Sequence, residues 1–518
     1  MVPEQLLFKH GDAEKIIPGS IEELELFKKL QERFSDQFEL FFPDNLALKT
    51  IIVIPSLTLD QDVLAKVEGS LYYEERLLCL LMLLRMPRTH VTYVSSMPID
   101  PVIIDYYLHL LPGISGYHAQ KRLTLLSCYD ASPHSLTEKI LQRPRLIEKI
   151  SQSIKAGHIA HIACFNTTIL ERTLSVQLNI PVYGCDPSLI HFGTKSGSRN
   201  IFLKAGVSFP SGMENLRTFD DLVEAIVSLK RQFPDQRKVV IKLNDGFSGD
   251  GNALFTYPDI LFEDLFNWLY EQLRKMIMPV AKGLSVDVFL LKLNSMGGIV
   301  EAFIEGETKS SPSVQCRIDP CGNVDIISTH DQVLGGESGQ IFIGAHFPAD
   351  AEYRTEISEI AFTIAQQLKA AGVCGRFSID FISVKNNGKW KHFAIEINLR
   401  KGGTTHPYLM MQFLTNGQYN KTTGMFETAN NQFRYYFASD NVQHECYKGL
   451  SAQDLIEIVM FHGLHFDGAS QKGVMFHMIG ALSQYGKMGM MCIGESSSEA
   501  FYLYQKTISV LNAECGVV

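Results

Sequence analysis

The sequence has no apolar run long enough to cross a membrane. Its longest, Leu77 to Leu84, falls far short of the roughly 20 residues a spanning helix requires. The N-terminus, MVPEQLLFKHGDAEK, carries charges where a secretory signal needs an unbroken apolar stretch, so no targeting segment is expected. Ten cysteines are present but no CxxC pair, and Cys316 and Cys321 are among the closest in sequence. That usage fits reduced thiols in a cytoplasmic protein better than a disulfide framework or a zinc site. There is no long basic run, and the formal net charge is −9. That argues against broad binding to nucleic-acid phosphates and leaves room for a local anion pocket. Internal repeats and low-complexity tracts are missing too. No GxGxxG follows a first strand, which removes a dinucleotide-dependent oxidoreductase, and no Walker A ending in Gly-Lys-Ser/Thr occurs.

What is present is a chain of 518 residues, 46% of them hydrophobic, enough for several domains with a large core. Residues 1–190 alternate strand and helix signals. IIVIPS, HVTYVSS, RLTLLSC and HIAHIAC read as strands, and YYEERLLCLLMLLRMP as a buried helix stopped by proline. Such alternation predicts an open, mostly parallel α/β sheet. Residues 191–430 show hairpin signals and helices, and 431–518 read as a small C-terminal α+β unit with a helix start at Ser497. The fold class expected is thus α/β and α+β, with a two-lobed core between an N-terminal α/β domain and a C-terminal unit.

Three segments carry chemistry. In VVIKLNDGFSGDGN a strand ends on Lys242 and opens into a loop with Gly246, Ser248, Gly249, Gly251 and Asn252. Small residues let backbone N–H groups approach phosphate oxygens, and the lysine supplies a point charge. A mobile turn after a strand explains the same residues. The second segment, GRFSIDFISVKNNGKWKHFAIEINLRKGG, has a turn signal at Asn386-Asn387-Gly388 between two alternating runs, hence a hairpin. Alternation puts Arg376, Ser378 and Asp380 on one face of the first strand. It puts Glu396, Asn398 and Arg400 on one face of the second, with Ile395, Ile397 and Leu399 opposite. Pairing even with even positions brings Asp380 to Glu396. Two carboxylates and an amide oxygen make a hard-cation site suited to magnesium, with arginines to grip phosphate or carboxylate. A solvated polar sheet face is the alternative. The third segment, GGIVEAFIEGETKSS, places Glu301, Phe303, Ile304 and Glu307 around a bend, where carboxylates and strand-edge backbone could meet ribose and adenine; an edge strand with solvated glutamates reads equally.

The three segments in this order resemble the ATP-grasp superfamily. The resemblance implies that Lys242 and Lys195 sit on the phosphates and that residues 246–252 form a flap. It implies that Glu301, Ile304 and Glu307 form the hinge, that Asp380, Glu396 and Asn398 hold Mg2+ (with Mn2+ as a substitute), and that Arg400 assists catalysis. One departure is that Arg376 lies four positions before Asp380, where many such ligases have an arginine two before. ERLLCLLMLLRMP, YVSSMPIDPVIIDYYLHLLPG, GTKSGSRNIF, EINLRKGGTTHP and GESSSEA extend the likeness over nearly the whole chain. They resemble the pheganomycin-type peptide ligases, and also the ligase-like part of an animal IQ-motif protein. The implied function is an ATP-dependent carboxylate–amine ligase working through an acyl phosphate. Its partners would be a small carboxylate, amino-acid-like, and an amine or peptide acceptor, with neither nucleic acid nor membrane. A homodimer is a common assembly among such enzymes. A regulatory ATP-binding protein without ligase activity is the other reading.

Overall fold

The computed structural model describes residues 16–58, 68–246, 251–281, 283–335 and 341–516. Ser248 and Gly249 of the expected flap lie outside these described residues.

The N-terminal strands are β1 (Lys49–Ile54), β2 (Thr89–Ser95), β3 (Leu123–Ser127) and β4 (Ile159–Cys164), in the order β3-β2-β1-β4. All three pairings are parallel, as the alternation with helices predicts. Both faces are covered, which is why β1 is buried at every position. Helix Ile21–Phe41 packs Phe27 and Leu30 against Ile52, Ile54 and Ile162 on one side. On the other, Leu77, Leu78 and Leu81 meet Ile51, Val53 and Tyr93. The segment that carries these leucines, Ser70–Arg85, is helical as expected but wound as a 3-10 helix.

The core has two lobes. The smaller is a five-stranded antiparallel sheet of β5 (Gly212–Leu216), β6 (Lys238–Leu243), β7 (Asn252–Thr256), β8 (Met278–Pro279) and β9 (Gly298–Ala302), in the order β5-β9-β6-β7-β8. Helices Phe219–Gln232, Phe262–Met276 and Val286–Met296 close its own core over Val239, Ile241 and Phe255. The larger lobe is a nine-stranded sheet. Its first six strands are β10 (Thr308–Ser310), β11 (Pro312–Ile318), β12 (Val324–Gly335), β13 (Ile341–Phe347), β14 (Gly375–Asn386) and β15 (Lys389–Asn398). A small hairpin of β16 (Gln418–Asn420) and β17 (Met425–Glu427) stands apart. The three strands after residue 430, β18 (Tyr435–Gln443), β19 (Gly473–His477) and β20 (Lys487–Gly494), extend the same large sheet through the β13–β18 pairing. The final helix, Ser497–Glu514, is capped one residue before the serine singled out from sequence: the Ser496 hydroxyl accepts from the Glu499 N–H at 3.1 Å.

One hydrophobic cluster joins the two ends of the chain. Leu77–Leu84 and Tyr106–Leu108 pack with Met475, Phe476, Met488 and Met490. Among the described residues no helix is long and apolar enough to cross a membrane.

Candidate functional site: a cavity between the two lobes

A cavity of about 690 Å³ lies where the two lobes face each other. Its first wall comes from the smaller lobe. Along β6 the side chains alternate: Val239 and Ile241 enter the core, while Val240 and Lys242 face the cavity. Lys242 is buried and its Nζ lies 2.6 Å from Glu301 Oε2 on β9. The other Glu301 oxygen takes Arg199 Nη1 at 3.0 Å. The loop after β6 leaves and returns through two glycines that touch. A Cβ on Gly246 would lie 3.3 Å from Gly251 Cα, and one on Gly251 would lie 3.4 Å from Gly246 Cα. A Cβ at either position would already reach the other strand of the neck, so small residues favour it. Beyond Glu301, Phe303 and Ile304 line the cavity as the chain crosses to the larger lobe, and Lys309 Nζ stands 4.5 Å from the Phe303 ring centre.

The opposite wall is the β14–β15 hairpin. Asn387 and Gly388 both have positive φ, +51° and +76°, as a two-residue turn between twisted strands demands. That turn pairs Asn386 with Lys389, a register that, carried on, would set Asp380 opposite Ile395; the pairing of Asp380 with Glu396 comes from the slip that follows. The register slips by one residue between Asp380 and Phe381. Ala394, not Ile395, pairs with Phe381 and is buried in the core, and Ile395 turns to the cavity. This corrects the expectation that Ile395 shares the core face with Ile397 and Leu399; a bulge resets alternation. Asn398 Nδ2 donates to Asp380 Oδ2 at 3.0 Å. Lys195, the first residue of helix Lys195–Ala205, is held in position by the Thr194 cap and pairs through Nζ with Glu396.

These carboxylates feel each other. Burial, then the neighbouring Glu396, push Asp380 up to about 6. Burial would raise Glu396 also, but Lys195, Arg400 and Lys242 together hold it below the usual carboxylate range. The pair is thus an acidic hollow partly neutralised by amines. With the Asn398 amide it offers an all-oxygen donor set, the kind that magnesium takes when it keeps waters and phosphate oxygens as further ligands.

Of the residues singled out from sequence, the cavity gathers Lys195, Lys242, Gly246, Gly251, Asn252, Glu301, Phe303, Ile304, Asp380, Glu396, Asn398 and Arg400. Two others lie elsewhere. Glu307 is exposed, and its backbone N–H bonds to Asn386 Oδ1 at 3.1 Å. Arg376 is not among the cavity-lining residues. The sheet face that carries it continues under Tyr183 and Tyr408, and burial there lowers its guanidinium. Arg76, Phe165, Ser313, Lys309 and Asp440 line the cavity without having been expected. Arg76 and Phe165 come from the N-terminal domain and Asp440 from β18, so no local motif could have flagged them. Lys309 alone left a trace, being the lysine that follows the hinge glutamates.

A strand lysine beneath a glycine-necked loop, a hinge, and a carboxylate–carboxylate–amide hairpin, arranged on two facing sheets, make this core similar to that of ATP-grasp proteins. Residues 187–282 and 274–422 match the family model described as "IQCH-like, ATP-grasp", and residues 454–507 match that of the PGM1 C-terminal domain. The chain is 28% identical over 460 residues to the L-propargylglycine–L-glutamate ligase of Streptantibioticus cattleyicolor, covering 87% of this chain and 92% of that protein. It is 22% identical over 519 residues to IQ motif-containing protein H of Danio rerio, covering 90% of this chain and 49% of that protein. Among solved structures, biotin carboxylase from Campylobacter jejuni superposes with TM-score 0.55 at 13% identity, over 91% of this chain and 96% of that one. The ADP complex of N5-carboxyaminoimidazole ribonucleotide synthetase superposes with TM-score 0.52 at 14% identity, over 90% and 98%. These likenesses concern the fold.

Proposed function

We propose that the protein is an ATP-dependent carboxylate–amine ligase that joins a small carboxylate, amino-acid-like, to an amine or peptide. The observation that carries the reading is the direct pairing of Asp380 with Glu396, beside Asn398, across one cavity from Lys242. A phosphoryl group in transfer spreads negative charge over its oxygens, so the protein's task is positioning and electrostatic stabilisation. Lys242, Lys195 and Arg400 supply positive charge along the cavity, Glu301 holds Lys242 in place, and the Phe303–Ile304 backbone offers contacts for the nucleoside. Asp380, Glu396 and Asn398 would hold Mg2+, which when bound neutralises phosphate charge. The substrate carboxylate oxygen bonds to the γ-phosphorus as the bond to ADP breaks, giving an acyl phosphate. A neutral amine then bonds to the acyl carbon, the carbon–oxygen bond to phosphate breaks, and the amine proton leaves with the phosphate. An acyl phosphate must be kept from water until the amine arrives, a task suited to the loop closed by Gly246 and Gly251.

The test is a titration of ATP with and without magnesium, followed by phosphate release against a panel of amino acids and peptides. Metal-dependent ATP binding and phosphate release that requires both a carboxylate and an amine are expected. Metal-dependent binding with no release for any substrate pair would replace this reading with a regulatory nucleotide-binding role.

A further inference from the structure

In the same cavity the N-terminal domain and the large sheet meet through an ion pair. Arg76 Nη2 lies 2.7 Å from Asp440 Oδ2, and both side chains are more than nine-tenths buried. A buried ion pair is weak evidence of stabilisation, because desolvation offsets the attraction. What sets this pair apart is that its hydrogen bonding is incomplete. Among the described residues, Arg76 Nε, Asp440 Oδ2 and His406 Nε2 are buried without a hydrogen-bond partner. Arg76 Nη2 and Asp440 Oδ2 meet as an ion pair, His406 Nε2 stands 3.4 Å from the other carboxylate oxygen, and the Arg76 Nε–H is left as a donor with no acceptor.

The surroundings are built to hold these groups there. The register of β18 on β20 slips between Ser439 and Val442, placing Asp440 in a bulge, a device that re-aims a side chain. His477 Nε2 lies 2.6 Å from the other carboxylate oxygen, Oδ1. Gly489 makes room for that histidine, since a Cβ there would overlap its ring. The Arg76 guanidinium is laid flat on Tyr73, 4.0 Å from the ring centre. Both Arg76 and Asp440 face the cavity that holds Arg400 and the Asp380–Glu396 pair.

We propose that Arg76 and Asp440 form the subsite for the amine substrate, an α-amino acid bound as a zwitterion with its ammonium on Asp440 Oδ2 and its carboxylate on Arg76. The inference rests on the ligase reading and adds the place and chemical class of the second substrate. An ammonium donor gives Asp440 Oδ2 the hydrogen bond it lacks beside its ion pair with Arg76, and a carboxylate accepts from the free Nε–H. In a zwitterion the two charges sit as close together as they do in the pair that would receive them. Arg400 and the acidic hairpin lie along the same cavity, so an ammonium that yields its proton to a phosphate oxygen of the acyl phosphate becomes the neutral amine that attacks the acyl carbon. His406, Asp440 and His477 could alternatively gather a divalent cation, their ligand atoms lying within 4.8 Å of one another. Arg76 opposes that, because its guanidinium repels a dication that brings no anion to pair with it, whereas a zwitterion brings a carboxylate.

The experiment is calorimetric titration of the full chain, loaded with magnesium and a non-hydrolysable ATP analogue, with the free L-amino acids and with the N-acetyl and methyl-ester derivatives of each. At least one free amino acid is expected to bind, and both of its derivatives at least tenfold more weakly. Asp440→Asn and Arg76→Met should each weaken it at least tenfold, with Arg76→Lys intermediate; nucleotide-analogue binding in the same samples reports that the fold persists. Should a variant not fold, the derivative series on the unaltered protein decides alone. Binding of the analogue but of no amino acid, or equal binding of free and N-acetylated forms, overturns the subsite. One equivalent of zinc in the purified protein, lost on His477→Gln, overturns it in favour of a metal site. Failure to bind the nucleotide analogue at all removes the ligase reading, and the subsite with it.

Discussion

Lys242 and Glu301 are paired across adjacent strands on the diagonal: Nζ is 2.6 Å from Oε2, although the register sets Glu301 opposite Val240 and Lys242 opposite Ile299. The ammonium therefore leans along the sheet toward the hinge. Glu301 is shared with Arg199, so its charge is matched by two cations. A phosphate arriving in the cavity would find the lysine already desolvated and fixed in direction.

Lys242→Ala should weaken ATP binding by about 1.5–3 kcal/mol, the worth of a charge-assisted hydrogen bond, which is roughly tenfold or more in Kd. Because Glu301 keeps Arg199, the loss of stability should be modest, about 1–3 kcal/mol. Nucleotide titration and thermal unfolding measure the two effects separately. An unaltered Kd would take Lys242 out of the site.

Glu396→Gln keeps the shape of the side chain and removes one carboxylate from the cation site. Coupled ADP and phosphate release should fall by about a hundredfold or more, metal-ligand loss exceeding the 10- to 100-fold typical of outer-shell changes. Circular dichroism should match the unaltered protein, since Glu396 is half-buried and lies outside the core. Normal turnover would contradict the metal assignment.

Asp380 makes the metal-free protein pH-dependent. Its folded pKa, about 6, lies above the ordinary 3.8. The folded state therefore holds that proton more tightly than the unfolded chain. The stability this adds is complete below about pH 4 and is lost as pH rises through about 6; the difference is on the order of 3 kcal/mol. A divalent cation must displace the proton, so magnesium affinity should rise across pH 5–7 and level off above. Asp380→Asn should flatten the profile. A flat profile in the unaltered protein would mean that Asp380 is already ionised.

Gly251→Val should crowd the two ends of the loop, because a Cβ there already reaches van der Waals contact with Gly246 Cα at 3.4 Å and the γ-methyls extend beyond it. The expected result is weaker nucleotide binding with only a small change in melting temperature. A large drop in melting temperature would instead mark the neck as part of the core.

Arg376→Met tests an expectation that the structure moves. Since Arg376 does not line the cavity, nucleotide affinity should be unaffected. Stability should change, because its Nη1 is buried without a partner among the described residues.

Much of the site could be read from sequence because its parts are local. The hairpin turn at Asn387–Gly388 could be read directly, although counting from it would set Asp380 opposite Ile395 and only the bulge brings Glu396 there; β6 delivers Lys242 by simple alternation. Counting failed at Ile395, because the bulge beside Asp380 left no sign in the order of apolar and polar residues. It failed again at Arg376, which shares a face with Asp380, since a sheet face runs on beyond the cavity that uses part of it. Arg76 and Asp440 were out of reach for another reason. They belong to different ends of the chain, and only tertiary packing brings them to one wall. The parallel β1–β4 sheet was legible through its unbroken apolar strands, whereas the joining of β18–β20 to the large sheet depends on edge pairing that no periodicity encodes.

That joining bears on how the protein can be dissected. A fragment trimmed to the family-matched span, 187–422, would bare the β13 edge where β18 docks, and unpaired edges invite aggregation. It would also lack Arg76 and Asp440, and so one whole side of the chamber. Silence from such a fragment would speak of its boundaries and not of the enzyme, and any search for substrates belongs on the entire polypeptide.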